Sequence, residues 1–396
     1  TVNTALSAGF LLYLYSEKPN VFYDGQLNIP KKNNNIPDIL DEVTWALEWL
    51  TKMQKGDGSV YHKVSTKKWA GEFLPHKDPE PLYIFRPSSN ATATFAAVTA
   101  LASRLINEFD PAFSKELRLQ SLKAWGFLAK NPVSVPLGGF QNPPNVKGGE
   151  YANKQDLDAR LWAAIELFRL TKKENFLNYF VIYVDRLIKN SYRLEPISWA
   201  NFHSLALSSF LDADLPEVVK FTYSNNKILN LYQKHTNQLI KVHNRNLYNN
   251  LLRPDEYYWG SNSVNLAYAF DLIQMYKHTL NPQYKQIALD QLHYTLGRNP
   301  LNKTFITGYG DYSVQYPYHQ FSMLLDTDKP IPGMLVGGAN DRISGWEERI
   351  SDFPARNYKD NTLNFKSNES AINYTAAFVY VAGYFSFIDR QIISKN

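Results

Sequence analysis

The amino-acid sequence predicts an all-α protein folded as one closed ring of helix pairs. Three observations lead there. About a dozen segments carry helical apolar spacing, few stretches alternate with period two, and no linker, low-complexity run or composition break divides the 396 residues. An open solenoid of helix pairs would show a fixed repeat motif, and none is present.

Taken in order, Thr1–Glu17 opens the chain inside a helical pattern. Its "ALSAGFLLYLY" is apolar on every side and reads as a buried helix, too short and too poor in flanking bases for a signal peptide. The next helix follows Pro37, with Ile39, Leu40, Val43, Leu47 and Leu50 on one face and acids in its first turn. "GSVYHKVST" (Gly58–Thr66) alternates and reads as a short hairpin arm. Helical spacing then recurs at Ser88–Asn107, Pro111–Lys130, Asp156–Leu170, Lys173–Ser191, Ser198–Asp212 and Pro216–Lys234. It returns at Ser261–Thr279, Pro282–Leu296 and Asn368–Asp389. Two loops, Gly138–Lys154 and Gly297–Ser351, are long and rich in polar and aromatic residues, the composition of site-building loops over a rigid scaffold. The architecture expected is an (α/α)6 barrel, a single domain over 1–396.

Composition narrows the function classes. Hydrophobic content of 44% with 20% charged residues is that of a globular protein, and no apolar run reaches the roughly 18 residues a membrane helix needs. The absence of cysteine excludes disulfides, zinc–thiolate centres and thiol nucleophiles. A net charge of +5 is spread along the chain rather than gathered in a stripe, which argues against a nucleic-acid partner. Aromatic residues reach 14%, enough both to fill a core and to line a groove that stacks on sugar rings.

Candidate site residues cluster at loop–helix junctions. Glu369 in "NESAINYTAAFVY" stands where a polar loop enters an apolar helix. It could complement the helix dipole, but burial beside small residues would raise its pKa and suit it to donate a proton. Tyr374 belongs to the same stretch. "GYGDYSVQYPYHQFS" brings Tyr309, Tyr318, His319 and Gln320, rings and hydrogen-bonding tips of a sugar subsite. "DEYYWGSNS" adds Tyr258 and Trp259, and "PLYIFRPSSNATATF" adds Arg86. In "GGEYANKQDLDARLWAAIE" the carboxylates Glu150, Asp156 and Asp158, with nearby glycine carbonyls, form a possible calcium set; the alternative is that the two aspartates cap and charge a helix start.

These residues resemble the family 9 glycoside hydrolases, chiefly endo-β-1,4-glucanases, over essentially the whole chain. "LNIPKKNNNIPDILDEVTWALEWLTKMQKGDGSVYHKVST" is similar to the family's second-helix region. "GEYANKQDLDARLWAAIEL" resembles its middle segment and "EYYWGSNS" its aromatic turn. "LGRNPLNKTFITGYG" and "NESAINYTAAFVY" match its two most specific blocks. The resemblance implies an (α/α)6 barrel, a β-linked glucan as substrate, a secreted or periplasmic bacterial setting, and Glu369 as general acid of an inverting mechanism. Inversion needs a second carboxylate roughly 6.5–9.5 Å away to activate water. The family draws that base from a motif just before the helix that here reads "TVNTALSAGF", so the chain is expected to be the barrel without its extreme N-terminal part. An immunoglobulin-like domain often precedes the barrel in such proteins. Where the family carries Pro-His-(His/Asp)-Arg, this chain reads Pro317-Tyr318-His319-Gln320, and Gln cannot reproduce the bidentate bonding of Arg. That departure keeps two alternatives open: an exo-acting β-glucosaminidase or other β-glycan hydrolase on the same fold, and a carbohydrate-binding homologue without catalysis.

Overall fold

A computed structural model describes residues 1–69, 71, 73–189, 194–324, 329–342 and 349–386. Its first helix, α1 (Val2–Glu17), has no polar stripe and is buried along most of its length. The second, α2 (Asp38–Thr51), is amphipathic: Leu40, Val43, Leu47 and Leu50 are buried while Trp45 is exposed. That alternation continues. α3 (Ser89–Ile106) is buried from Ser89 to Ser103, and α4 (Pro111–Lys130) covers it with one face. α5 (Leu157–Thr171) is buried, α6 (Glu174–Lys189) presents one apolar face to it, and α7 (His203–Leu211) is buried again. α8 (Glu217–Val219) passes through a π-helical stretch, Lys220–Ile228, into the amphipathic α9 (Leu229–Arg245). α10 (Ser261–Thr279) is buried beneath α11 (Pro282–Thr295). Two short helices, α12 (Gln320–Leu324) and α13 (Phe365–Asn368), precede the last, α14 (Ile372–Phe385).

A helix apolar all round is stable only where neighbours cover every side, and one with a single apolar stripe belongs at the surface. The all-round apolar helices α1, α3, α5, α7, α10 and α14 accordingly form an inner ring, and α2, α4, α6, α9 and α11 an outer layer. The ring closes where α14 packs on α1. Beside that seam Leu11 of α1, Trp45 and Trp49 of α2, and Ile372 and Val379 of α14 line a trough of about 860 Å³.

The middle of the ring holds a polar cluster. Glu166 on α5 is bonded by Ser209 of α7 and by Arg104 Nη2 of α3 at 2.9 Å, with Arg169 Nη1 at 3.5 Å. Tyr13 of α1 joins the same group, its hydroxyl 2.5 Å from Ser209 Oγ and accepting from Trp162 Nε1 at 2.9 Å. Four inner helices are thereby fixed in register, because a buried carboxylate left without these donors would be strongly unfavourable.

Among the described residues, strand structure is confined to an arm and to isolated bridges. β1 (Val64–Ser65) pairs antiparallel with β2 (Tyr83–Ile84), Val64 opposite Ile84, as the alternation at Gly58–Thr66 predicts. Some boundaries differ from expectation. α7 starts at His203 rather than Ser198 because Ser198 and Asn201 close a turn on each other and Asp158 Oδ2 accepts the Phe202 N–H at 2.7 Å. α9 runs beyond Lys234 to Arg245. The expected helix ends at Ser191 and Asp389 lie outside the described residues. Among the described residues no helix is long and apolar enough to cross a membrane.

Candidate active site

Glu369 does not start a helix. α13 ends at Asn368, Glu369 is extended (φ −65°, ψ 132°), and α14 is capped by Ala371. The expected Asn368–Asp389 helix is therefore broken at Glu369, and the dipole reading of Glu369 falls with it. What breaks it is pairing on both flanks. The Glu369 carbonyl accepts from Gly337 N at 3.0 Å, the Asn368 carbonyl accepts from Tyr318 N at 2.8 Å, and Val336 bridges Ser370. Gly337 permits the approach: a Cβ there would lie 2.9 Å from the Lys366 carbonyl oxygen.

Asn368, wholly buried, anchors the other side. Its Nδ2 lies 2.7 Å from the Lys359 carbonyl and 3.1 Å from those of Asn361 and Asn364, and its Oδ1 accepts from the Tyr358 hydroxyl at 2.6 Å. With the backbone held this way, the half-buried Glu369 side chain has a defined direction.

That direction is toward the Tyr257–Gly260 turn ahead of α10. Trp259 Nε1 donates to Glu369 Oε2 at 2.9 Å. Gly260 caps α10 with φ +88°, and a Cβ on it would meet the Tyr374 hydroxyl at 2.7 Å, so Tyr374 packs directly on this turn. Phe365 lies edge-on to the Trp259 ring at 5.4 Å, and Tyr318 sits 5.9 Å from Phe365. Arg342 stands 4.8 Å over the ring of Tyr258. Burial raises the Glu369 pKa above the usual glutamate value, and the Trp259 N–H only partly opposes this. The Tyr374 hydroxyl is pushed up by burial and then by the neighbouring Glu369, Tyr151 and Tyr258. A carboxyl whose pKa is raised by burial among rings is suited to donate a proton.

Tyr151 belongs here too, and the sequence reading passed over it. It has a left-handed backbone (φ +50°), lies edge-on to Trp199 at 5.6 Å, and its pKa is raised by burial and then by Glu369. Its segment is held by His62, whose Nε2 lies 3.0 Å from the Glu150 carbonyl and whose Nδ1 lies 2.8 Å from Ser88 Oγ. Burial lowers His62 to about 4, so it is neutral at pH 7 and donates from Nε2. The sequence signal for both was weak: "GSVYHKVST" reads as a hairpin arm and "GGEYANK" as a row of oxygen ligands, and a left-handed tyrosine has no local signature.

Among the other expected residues the outcome is mixed. Trp259, Tyr258, Tyr374 and Tyr318 gather around the acid. His319 lines the trough on the α1–α14 seam and its Nδ1 lies 3.1 Å from Ser322 Oγ. Gln320 directs Nε2 to the Gly71 carbonyl at 2.8 Å. Arg86 lies 6.0 Å from the Phe140 ring, which stacks on His62, and Tyr309 is exposed in the Gly308–Gly310 turn.

Glu150, Asp156 and Asp158 do not come together as a group. Among the described residues no group of three or more His, Asp or Glu could hold a metal. Glu150 accepts the Asn142 N–H at 2.8 Å, Asp156 pairs with Arg160 Nε at 3.0 Å, and Asp158 accepts from Phe202. The glycine carbonyls that would complete the set face cationic and amide donors: Lys63 Nζ is 2.8 Å from Gly149 O and Asn142 Nδ2 is 2.7 Å from Gly148 O.

The fold is of the glycoside hydrolase type. The profile of glycosyl hydrolase family 9 matches residues 1–382, and the chain belongs to that family. It is 30% identical over 394 residues to endoglucanase D of Acetivibrio thermocellus, an alignment covering 98% of this chain and 57% of that protein. It is 31% identical over 400 residues to a xyloglucan-specific endo-β-1,4-glucanase of Bacteroides ovatus, covering 96% of this chain and 66% of the relative. The crystal structure of a metagenome-derived family 9 endoglucanase superposes with a TM-score of 0.88 at 32% identity, over 97% of this chain and 68% of that one. The chain thus spans less than two thirds of the length of these two curated relatives. The six-membered inner ring of helices agrees with the (α/α)6 barrel expected from the sequence.

Proposed function

We propose that this protein hydrolyses β-1,4-glycosidic bonds of a glucan-type polysaccharide with inversion, and that Glu369 is the general acid. One observation carries the reading: a half-buried carboxyl with a raised pKa, oriented by the Trp259 indole and surrounded by Tyr151, Tyr258 and Tyr374. With its pKa raised, such a group delivers a proton to the glycosidic oxygen as the bond breaks, while the rings exclude water and stack on the sugar. The endoglucanase relatives support the substrate class.

The base that activates water on the opposite sugar face is proposed to come from polypeptide upstream of Thr1. A polymeric substrate of this kind further favours work outside a bacterial cell.

A second reading, another β-glycan as substrate, is favoured by Tyr318 and Gln320 at the positions where the family carries a His and an Arg. Reducing-sugar release by the complete gene product from soluble β-glucans, mixed-linkage glucans, xyloglucan and chitosan oligomers tests both. Release from the β-1,4-glucans, with first-formed products of inverted anomeric configuration, is the expected result. Cleavage of chitosan oligomers alone would favour the second reading, and binding without turnover would leave a carbohydrate-binding homologue.

A further inference from the structure

We propose that the β1–β2 arm carries a glycan-stacking subsite, built on Trp69 and Phe73 and tied by Gln320 to the segment that pairs with Glu369. This rests on the glucan-hydrolase reading. The arm leaves the barrel at Lys63 and returns at Phe85, whose N–H donates to the Lys63 carbonyl at 2.9 Å. It is braced midway by Lys147 N, which donates to the Lys67 carbonyl at 2.8 Å, and by Lys67 Nζ, 4.3 Å over the Tyr83 ring.

Its tip is fixed at Gly71. The Gly71 carbonyl accepts from Phe73 N at 2.9 Å and from Gln320 Nε2 at 2.8 Å. A Cβ on Gly71 would lie 2.5 Å from the Phe73 ring, so that ring folds directly against the glycine. Gln320 in turn follows Tyr318 by two residues, and Tyr318 is the backbone partner of the Asn368–Glu369 segment. One side-chain amide therefore ties the arm to the strand-like segment beside the acid, although the two are 249 residues apart in sequence. A second tie runs through Lys63 Nζ to the carbonyl of Gly149, two residues before Tyr151.

On this doubly tethered arm Trp69 is 65% exposed and Phe73 40%, with Ile84 and Leu82 also open. A lone exposed ring is ordinary, but several large apolar side chains on one anchored arm form a surface that a ligand covers. Aromatic rings on a backbone continuous with the groove offer stacking faces to sugar units bound beyond the cleaved bond. The occupant is a β-linked glucan chain extending out of the groove, and Gln320 positions the arm instead of contacting the sugar.

The test uses the complete gene product and soluble β-1,4-gluco-oligosaccharides of about three and six units. Stacking of this size predicts that Trp69→Ala raises KM for the hexasaccharide about tenfold, leaves kcat within about twofold, and leaves the trisaccharide KM within about twofold. Trp69→Phe retains most of the affinity, and Gln320→Leu weakens the hexasaccharide selectively. Hexasaccharide kinetics unchanged in Trp69→Ala, while the parent cleaves it, overturn this inference alone. Equal losses on both substrates also overturn it, since they place the ring at the reaction centre. Failure of the parent to bind or cleave either oligosaccharide overturns the glucan-hydrolase reading, and this inference with it.

Discussion

Trp259 and Glu369, 110 residues apart, meet through one hydrogen bond of 2.9 Å from the indole N–H to a carboxylate oxygen. That bond favours the ionised acid, while burial favours the protonated one and prevails. Trp259→Phe keeps the ring and removes the donor, so the Glu369 pKa rises further. An acid catalyst is active while protonated, so the alkaline limb of the pH–kcat/KM profile is expected to move to higher pH. A limb unmoved in that variant would mean that another group sets it.

Glu369→Gln keeps the shape and loses the proton. Turnover is expected to fall by about two to four orders of magnitude, with oligosaccharide affinity retained. Calorimetric titration beside rate measurements separates the two; unchanged hydrolysis would remove Glu369 from the mechanism.

The same variant has an opposite effect on stability. A carboxyl whose folded pKa is raised binds its proton more tightly when folded, so stability falls as pH climbs from the unfolded value toward the folded one. Glu369→Gln lacks that penalty, and its Tm at pH 7 is expected to exceed the parent's by about 1–3 °C, with the gap closing below about pH 4.

Glu166 behaves the other way. Burial opposes its ionisation, yet Arg169 and Arg104 outweigh burial and hold its pKa below the ordinary glutamate value. Its contribution is present above the unfolded pKa and lost as pH drops through the folded one. Denaturant unfolding at pH 6 and pH 3.5 is expected to show a loss that Glu166→Gln reduces, along with lower stability of that variant at pH 6.

Gly260→Ala tests the turn. The added methyl lies 2.7 Å from the Tyr374 hydroxyl at a backbone φ of +88°, so strain and displacement coincide. A cost of about 1–3 kcal/mol is expected, read as a Tm drop of several degrees, with reduced turnover because Trp259 sits on the same turn.

Most of the fold was legible because local spacing encodes burial. α1 and α3 lack a polar face and so belong inside, and Leu40, Val43, Leu47 and Leu50 mark α2 as a surface helix. Residue type and neighbours were enough to single out Glu369, Trp259 and Tyr374. What spacing could not encode was which partner a polar group takes across the ring. Asp156 faces Arg160 and Asp158 faces Phe202, so the carboxylates that read as calcium ligands are already engaged. Gln320, placed by sequence against a sugar, reaches Gly71. The helix that should begin at Asn368 breaks because Tyr318 and Gly337 compete for its backbone carbonyls. The sequence by itself determined which surfaces must be covered, since apolar area behaves alike wherever it lies. Only the tertiary structure decided the pairing of donors and acceptors, because a hydrogen bond depends on an atom-scale approach that packing distant segments together creates.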